Sequence, residues 1–117
     1  EHVEVLDILS NVVTVDLSLA QSFTLTVDDD VNSFTITNIP SGSTSFSLKI
    51  VQDGTGDRAV GIDTFKTSGG TAIPVNWPGG GVVPIMTQTA SRADIYSYKT
   101  FDGGSSFYGV VGGQNFA

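Results

Sequence analysis

Apolar and polar residues alternate with a period of two along most of this chain, the pattern of extended strands with one face in a core and the other in water. Over residues 11–19, Val13, Val15, Leu17 and Leu19 share one parity, and Val12, Thr14, Asp16 and Ser18 share the other. The same rule sets Phe23, Leu25 and Val27 against Ser22, Thr24 and Thr26, then Phe34 and Ile36 against Ser33, Thr35 and Thr37. It sets Phe46, Leu48 and Ile50 against an outward Lys49. Turn chemistry separates these runs at Asp28-Asp29-Asp30, at Asn38-Ile39-Pro40-Ser41-Gly42 and at Asp53-Gly54-Thr55-Gly56. Between Gly61 and Pro84 the glycines and prolines allow only short extended pieces, such as Ile73–Trp77 and Val82–Met86.

Alternation returns at Asp94–Phe101, where Ile95, Ser97, Lys99 and Phe101 oppose Tyr96, Tyr98 and Thr100. Asp102-Gly103-Gly104 then turns the chain into Ser106–Gly112, a β-hairpin. Assigning Ile95 and Phe101 to the core leaves Tyr96 and Tyr98, with Tyr108, facing outward. Helix signals are almost absent. The expected fold is all-β, a single antiparallel β-sandwich or jelly roll of about 7–8 short strands. Residues 11–117 form that domain. Residues 1–10 form an N-terminal arm or strand, with Val3 and Val5 opposite Leu6 and Ile8, that is expected to pair with a neighbouring chain.

Composition narrows the chemistry. The chain has 117 residues, one domain's worth, and no cysteine, which excludes disulfides, thiolate metal sites and cysteine nucleophiles. Its one histidine, His2, leaves neither a histidine metal cluster nor a Ser-His-Asp arrangement. Twelve acidic against five basic residues give a net charge of −7 with no basic run, so neither nucleic acid nor an anionic membrane is an expected partner. The absence of a long apolar run or a leader, together with the Glu-His start, fits a soluble domain cut from something longer.

Three groups of residues invite a chemical role. Asp28, Asp29 and Asp30 concentrate negative charge and are the candidate calcium ligands, but consecutive residues of an extended chain point to alternate sides, and the glycine and terminal glutamate of an EF-hand loop are missing. A solvated turn without a metal is the expectation there, and no cofactor is expected elsewhere. Carboxylate pairs suited to glycoside hydrolysis arise by chance among so many acids, and no groove-forming sequence accompanies them. Trp77, Tyr96, Tyr98 and Tyr108 supply either a sugar-stacking platform or a subunit contact, since aromatic residues serve both. Trp77, held between Asn76 and Pro78, is expected to be buried.

The ordered series of strand and turn sequences carries a resemblance. Asn11-Val-Val-Thr-Val-Asp-Leu-Ser, Phe23-Thr-Leu-Thr, Phe34-Thr-Ile-Thr-Asn38-Ile-Pro-Ser-Gly42 and Ser45-Phe-Ser-Leu-Lys-Ile-Val-Gln-Asp-Gly54 are followed by Trp77-Pro-Gly-Gly80, Asp94-Ile95, Asp102-Gly-Gly104 and Phe107-Tyr-Gly109. This series resembles a β-module of structural proteins of tailed bacteriophages, of the tail-fibre and capsid-decoration kind. The chain departs from that pattern at Arg58-Ala-Val-Gly-Ile-Asp63, where such modules often carry Trp-Pro. The resemblance implies a non-enzymatic part of a virion, exposed on the particle, that assembles as a symmetric homotrimer and touches other virion proteins. The other reading it admits is a receptor- or glycan-binding module at a fibre tip, meeting a host-surface glycan.

Overall fold

Eleven strands follow from the alternation, with turns where it breaks, in the computed structural model, which describes residues 2–117. They are β1 (Val3–Val5), β2 (Ile8–Leu9), β3 (Val12–Asp16), β4 (Ser22–Val27), β5 (Ser33–Thr37), β6 (Thr44–Gln52), β7 (Phe65–Lys66), β8 (Ala72–Ile73), β9 (Val75–Asn76), β10 (Ala93–Thr100) and β11 (Phe107–Phe116). One helical turn, Pro78–Gly81, follows Trp77, and its Gly79 and Gly80 have positive φ. The strands form two sheets, a six-stranded one in the order β1-β4-β6-β10-β11-β9 and a five-stranded one in the order β2-β3-β5-β7-β8.

The fold is all-β, but the expectation of a single antiparallel sandwich of seven or eight strands needs correcting. Both sheets are mixed. From β3 to β6 each strand crosses to the opposite sheet, so neighbours in sequence do not pair and alternate strands pair in parallel, β3 with β5 (Val12↔Ser33) and β4 with β6 (Ser22↔Ser47). Parallel partners need a crossover, and here a strand of the facing sheet provides it in place of a helix. The turns at 28–32 and 38–43 therefore carry the chain between layers and do not close hairpins. Asn38 and Gly42 take the positive φ values, 54° and 83°, that the second of these crossings requires. The expected hairpin at Asp102-Gly103-Gly104 is present and pairs β10 antiparallel to β11.

The arm residues are themselves paired within the structure. β1 pairs parallel with β4, and β2 pairs antiparallel with β3 through a two-residue turn at Ser10-Asn11, both at positive φ. The strand groups of residues 3–5 and 8–9 thus bond within their own chain, and Leu6 joins the core.

The two sheets face each other across one cluster of buried side chains. Phe46, from the six-stranded sheet, stacks on Phe65, from the five-stranded sheet, with ring centroids 6.1 Å apart, and Tyr98 lies against both. Register explains which face of β10 turns inward. Tyr96 is opposite Leu48 and Tyr98 opposite Phe46, and both partners are buried. The sequence-based assignment of this strand is therefore reversed: Tyr96 and Tyr98 are 0% and 1% exposed, while Phe101 is 63% exposed. The face bearing Ser97 and Lys99 cannot be desolvated without stranding an ammonium, whereas each tyrosine hydroxyl finds an acceptor.

Candidate functional site

Burial separates the aromatic candidates into two sets. Trp77 is buried as expected, with its ring T-shaped against Tyr98 at 5.8 Å and against Tyr96 at 6.4 Å. Tyr98 donates to the Ile62 carbonyl at 2.8 Å, and burial pushes its hydroxyl well above the usual phenol pKa. Tyr96 donates to Asp94 Oδ2 at 2.8 Å, and burial raises its hydroxyl too. These three residues brace the core and present nothing to a partner. Tyr108 alone of the four faces outward, 52% exposed, in T-shaped contact with Phe101 at 5.9 Å.

Beside Tyr96, Asp94 is buried yet charged. Its Oδ2 accepts from the Thr87 backbone N–H at 2.8 Å and its Oδ1 from the Asn115 N–H at 2.9 Å. Burial works against the carboxylate, but these backbone donors and the Tyr96 hydroxyl outweigh it and hold the pKa below the ordinary aspartate value. Gln114 Nε2 donates to Tyr96 Oη at 3.0 Å and to the Ile85 carbonyl at 2.8 Å, tying the 85–87 segment to the sheet. With its oxygens engaged by structural donors, Asp94 is a clamp on the chain.

Asp28, Asp29 and Asp30 form an exposed turn. Asp29 Oδ1 accepts from the Asp30 N–H, and Asp30 Oδ1 accepts from the Ala59 N–H at 2.9 Å, so the side chains diverge. Among the described residues no group of three His, Cys, Asp or Glu side chains is placed to hold a metal ion.

What the molecule does present is a broad outer face on the six-stranded sheet. Its outward positions are Val3 and Val5 on β1, Ser22 and Thr24 on β4, Ser45, Ser47 and Lys49 on β6, Ile95, Ser97 and Lys99 on β10, and Tyr108 and Val110 on β11. Phe101 adjoins them at the end of β10, with Lys99 Nζ 5.0 Å from its ring centroid. Two of the five basic residues lie on this face, and its strand positions hold no carboxylate, although the chain has twelve. Neither Lys49 nor Lys99 forms an ion pair among the described residues.

A second surface lies at the edge where β1 and β2, the outermost strands of the two sheets, meet. It is a groove lined by apolar Val5, Leu9, Val12 and Leu19 and by the carboxylates of Glu4, Asp7 and Asp16. Val5, Leu9 and Leu19 are each more than half exposed. Asp16 is held by Ser18 and Asn38, whose three hydrogen bonds all fall on Oδ1 and, led by the Ser18 hydroxyl, lower its pKa. Of the arm residues, Val3 and Val5 face outward, Leu6 is core and Ile8 is half-buried against it.

Sequence reasoning missed Phe101, Lys49 and Lys99 as members of one face. The signal was their common parity with Ser45, Ser47 and Ser97, a set too polar to be core. No known protein family, no curated protein and no solved structure matches this chain.

Proposed function

We propose that the chain is a non-enzymatic structural module of a tailed-phage virion, exposed on the particle as a decoration or fibre domain, that assembles into a symmetric homotrimer and contacts other virion proteins. The observation that carries this reading is the outer face of the six-stranded sheet, where Phe101, Tyr108 and Val110 stand about half exposed or more beside serines and two lysines with no ion pair among the described residues. Contiguous aromatic and aliphatic surface of this kind marks contact sites on folded proteins, and aromatic residues are enriched at their centres. The ordered strand and turn series that resembles phage virion modules supplies the setting. Light scattering on the purified chain tests the assembly, with a mass three times that of the chain expected. A virion map into which the domain can be placed tests the location.

A second reading is favoured by one specific feature, the exposed Phe101–Tyr108 pair flanked by Ser45 and Ser97. Exposed aromatic faces beside hydroxyls suit a sugar ring, as in a receptor- or glycan-binding module. Lys99 already sits over the Phe101 ring, which leaves Tyr108 as the free stacking face. A glycan array separates the two readings, since a monomer that binds sugars supports the second.

A further inference from the structure

A ring of three identical subunits cannot be built from one self-complementary patch. Cyclic symmetry above two-fold makes each interface join two different surfaces of the same chain. This inference rests on the assembly proposed above and names those surfaces. One is the outer face of the six-stranded sheet, which carries Lys49 and Lys99 without a carboxylate at its strand positions. The other is the β1–β2 edge groove, apolar along Leu9 and Leu19 and bearing Glu4, Asp7 and Asp16.

We infer that the lysine-bearing face of one copy docks into the acidic edge groove of the next. Charge complementarity argues for this occupant. Among the described residues neither lysine has an acidic partner, and Asp7 and the Oδ2 atom of Asp16 accept no hydrogen bond. Glu4 already pairs with His2 at 2.8 Å, so Asp7 and Asp16 are the principal acceptors. Both surfaces also expose apolar side chains, Ile95, Phe101 and Val110 on the face and Leu9 and Leu19 in the groove, so the contact buries hydrocarbon as it pairs charge. Placement fits as well. The groove is at an edge of the molecule and the lysines are on a broad side.

Two charge-reversed chains test the pairing. Lys49→Glu with Lys99→Glu spoils the face and keeps the groove. Asp7→Lys with Asp16→Lys spoils the groove and keeps the face, and Glu4→Lys with Asp7→Lys serves if the Asp16 turn does not tolerate lysine. Each variant alone is expected to be a folded monomer by circular dichroism and light scattering, with association weakened at least ~100-fold by like-charge contacts. Mixed in equal amounts, the two are expected to associate with each other, because each spoiled surface then meets its complement, while a closed ring of three, which cannot alternate two chains, is expected to return only in a chain carrying all four changes. Mixed variants that stay monomeric, or a parent oligomer indifferent to both changes, would overturn the inference while leaving the assembly standing. A parent chain that is monomeric at every concentration would overturn both. A monomeric parent whose binding to an acidic glycan is lost in Lys49→Glu with Lys99→Glu would give the face to sugar and overturn the pairing.

Discussion

The indole of Trp77 shows how much one position fixes. It lies on the β11 backbone at Gly109, where an added Cβ would come within 2.7 Å of Cζ3 and 2.8 Å of Cη2, and its other contacts are the buried rings of Tyr96 and Tyr98. The ring has nowhere to retreat. Gly109→Ala is therefore expected to destabilise the fold by about 1–3 kcal/mol, the usual range for forcing a methyl into packed surroundings, measured as a lower urea midpoint at unchanged slope. Trp77→Ala is expected to cost about 3–5 kcal/mol. Trp77→Phe is expected to cost less than half of that, because Nε1 is buried without a hydrogen-bond partner and its removal offsets part of the lost packing. A Phe variant as unstable as the Ala variant would show that the indole nitrogen is bonded after all. The burial of Trp77 was legible from its neighbours in the chain. The role of Gly109 was not, because it depends on a residue 32 positions away meeting it across β9 and β11.

At the scale of elements, β10 carries the chain's principal internal acid. The native Asp94 carboxylate is held by two backbone N–H groups and the Tyr96 hydroxyl, so its folded pKa lies below its unfolded one. The stabilisation it provides is complete above the unfolded value of about 3.9 and is lost as pH falls through the lower folded value. Asp94→Asn is expected to destabilise the chain by about 1–3 kcal/mol at neutral pH, since an amide cannot accept at both oxygen positions. It is also expected to flatten the fall in melting temperature below about pH 4. An acid profile parallel to the parent's would place the sensitivity elsewhere. Tyr96→Ser with Tyr98→Ser is expected to unfold the domain, as both rings are core, and a cooperative melt retained by that variant would contradict the register of β10.

The same strand shows where sequence reasoning stops. Period-two alternation located β3 to β6 and their inward residues, Val13 through Ile50, because one parity was consistently apolar. On β10 both parities hold large apolar groups, and the decision rested on Lys99 against Asp94, a charge that must reach water against one with donors waiting in the fold. Those donors, Thr87 and Asn115, come from segments with no visible tie to Asp94 in sequence. The inter-sheet crossings were equally hidden, since short polar turns serve hairpins and crossings alike. The arm's cis pairing depended on Ser10-Asn11 adopting two consecutive positive φ values, 51° and 64°. The outer face of the six-stranded sheet was half visible, through Tyr108, and its lysines became meaningful only once its strands were laid side by side.

For the whole molecule, the net charge of −7 conceals an arrangement in which Lys49 and Lys99 share one broad side and carboxylates are kept off its outward strand positions. Under the assembly proposed above, Phe101→Ser with Tyr108→Ser is expected to give folded monomers with little change in melting temperature, because both rings are largely in water in the single chain. A large drop in stability would mean that the face supports the subunit itself. The strand path from β3 to β6 has a further consequence, for how the protein comes undone. Because successive strands are laid down in alternate layers from β3 to β6, neither whole layer is completed by a contiguous stretch of chain. Opening β4 deprives β6 of a partner in one layer and uncovers β5 in the other. Amides on β4 and β5 are then expected to exchange with deuterium at one common opening free energy, that of global unfolding, and a nick between residues 38 and 43 would separate strands that both layers need. Folding must likewise wait for distant segments to meet, which makes the chain slow to form and, once wound, slow to yield to a protease.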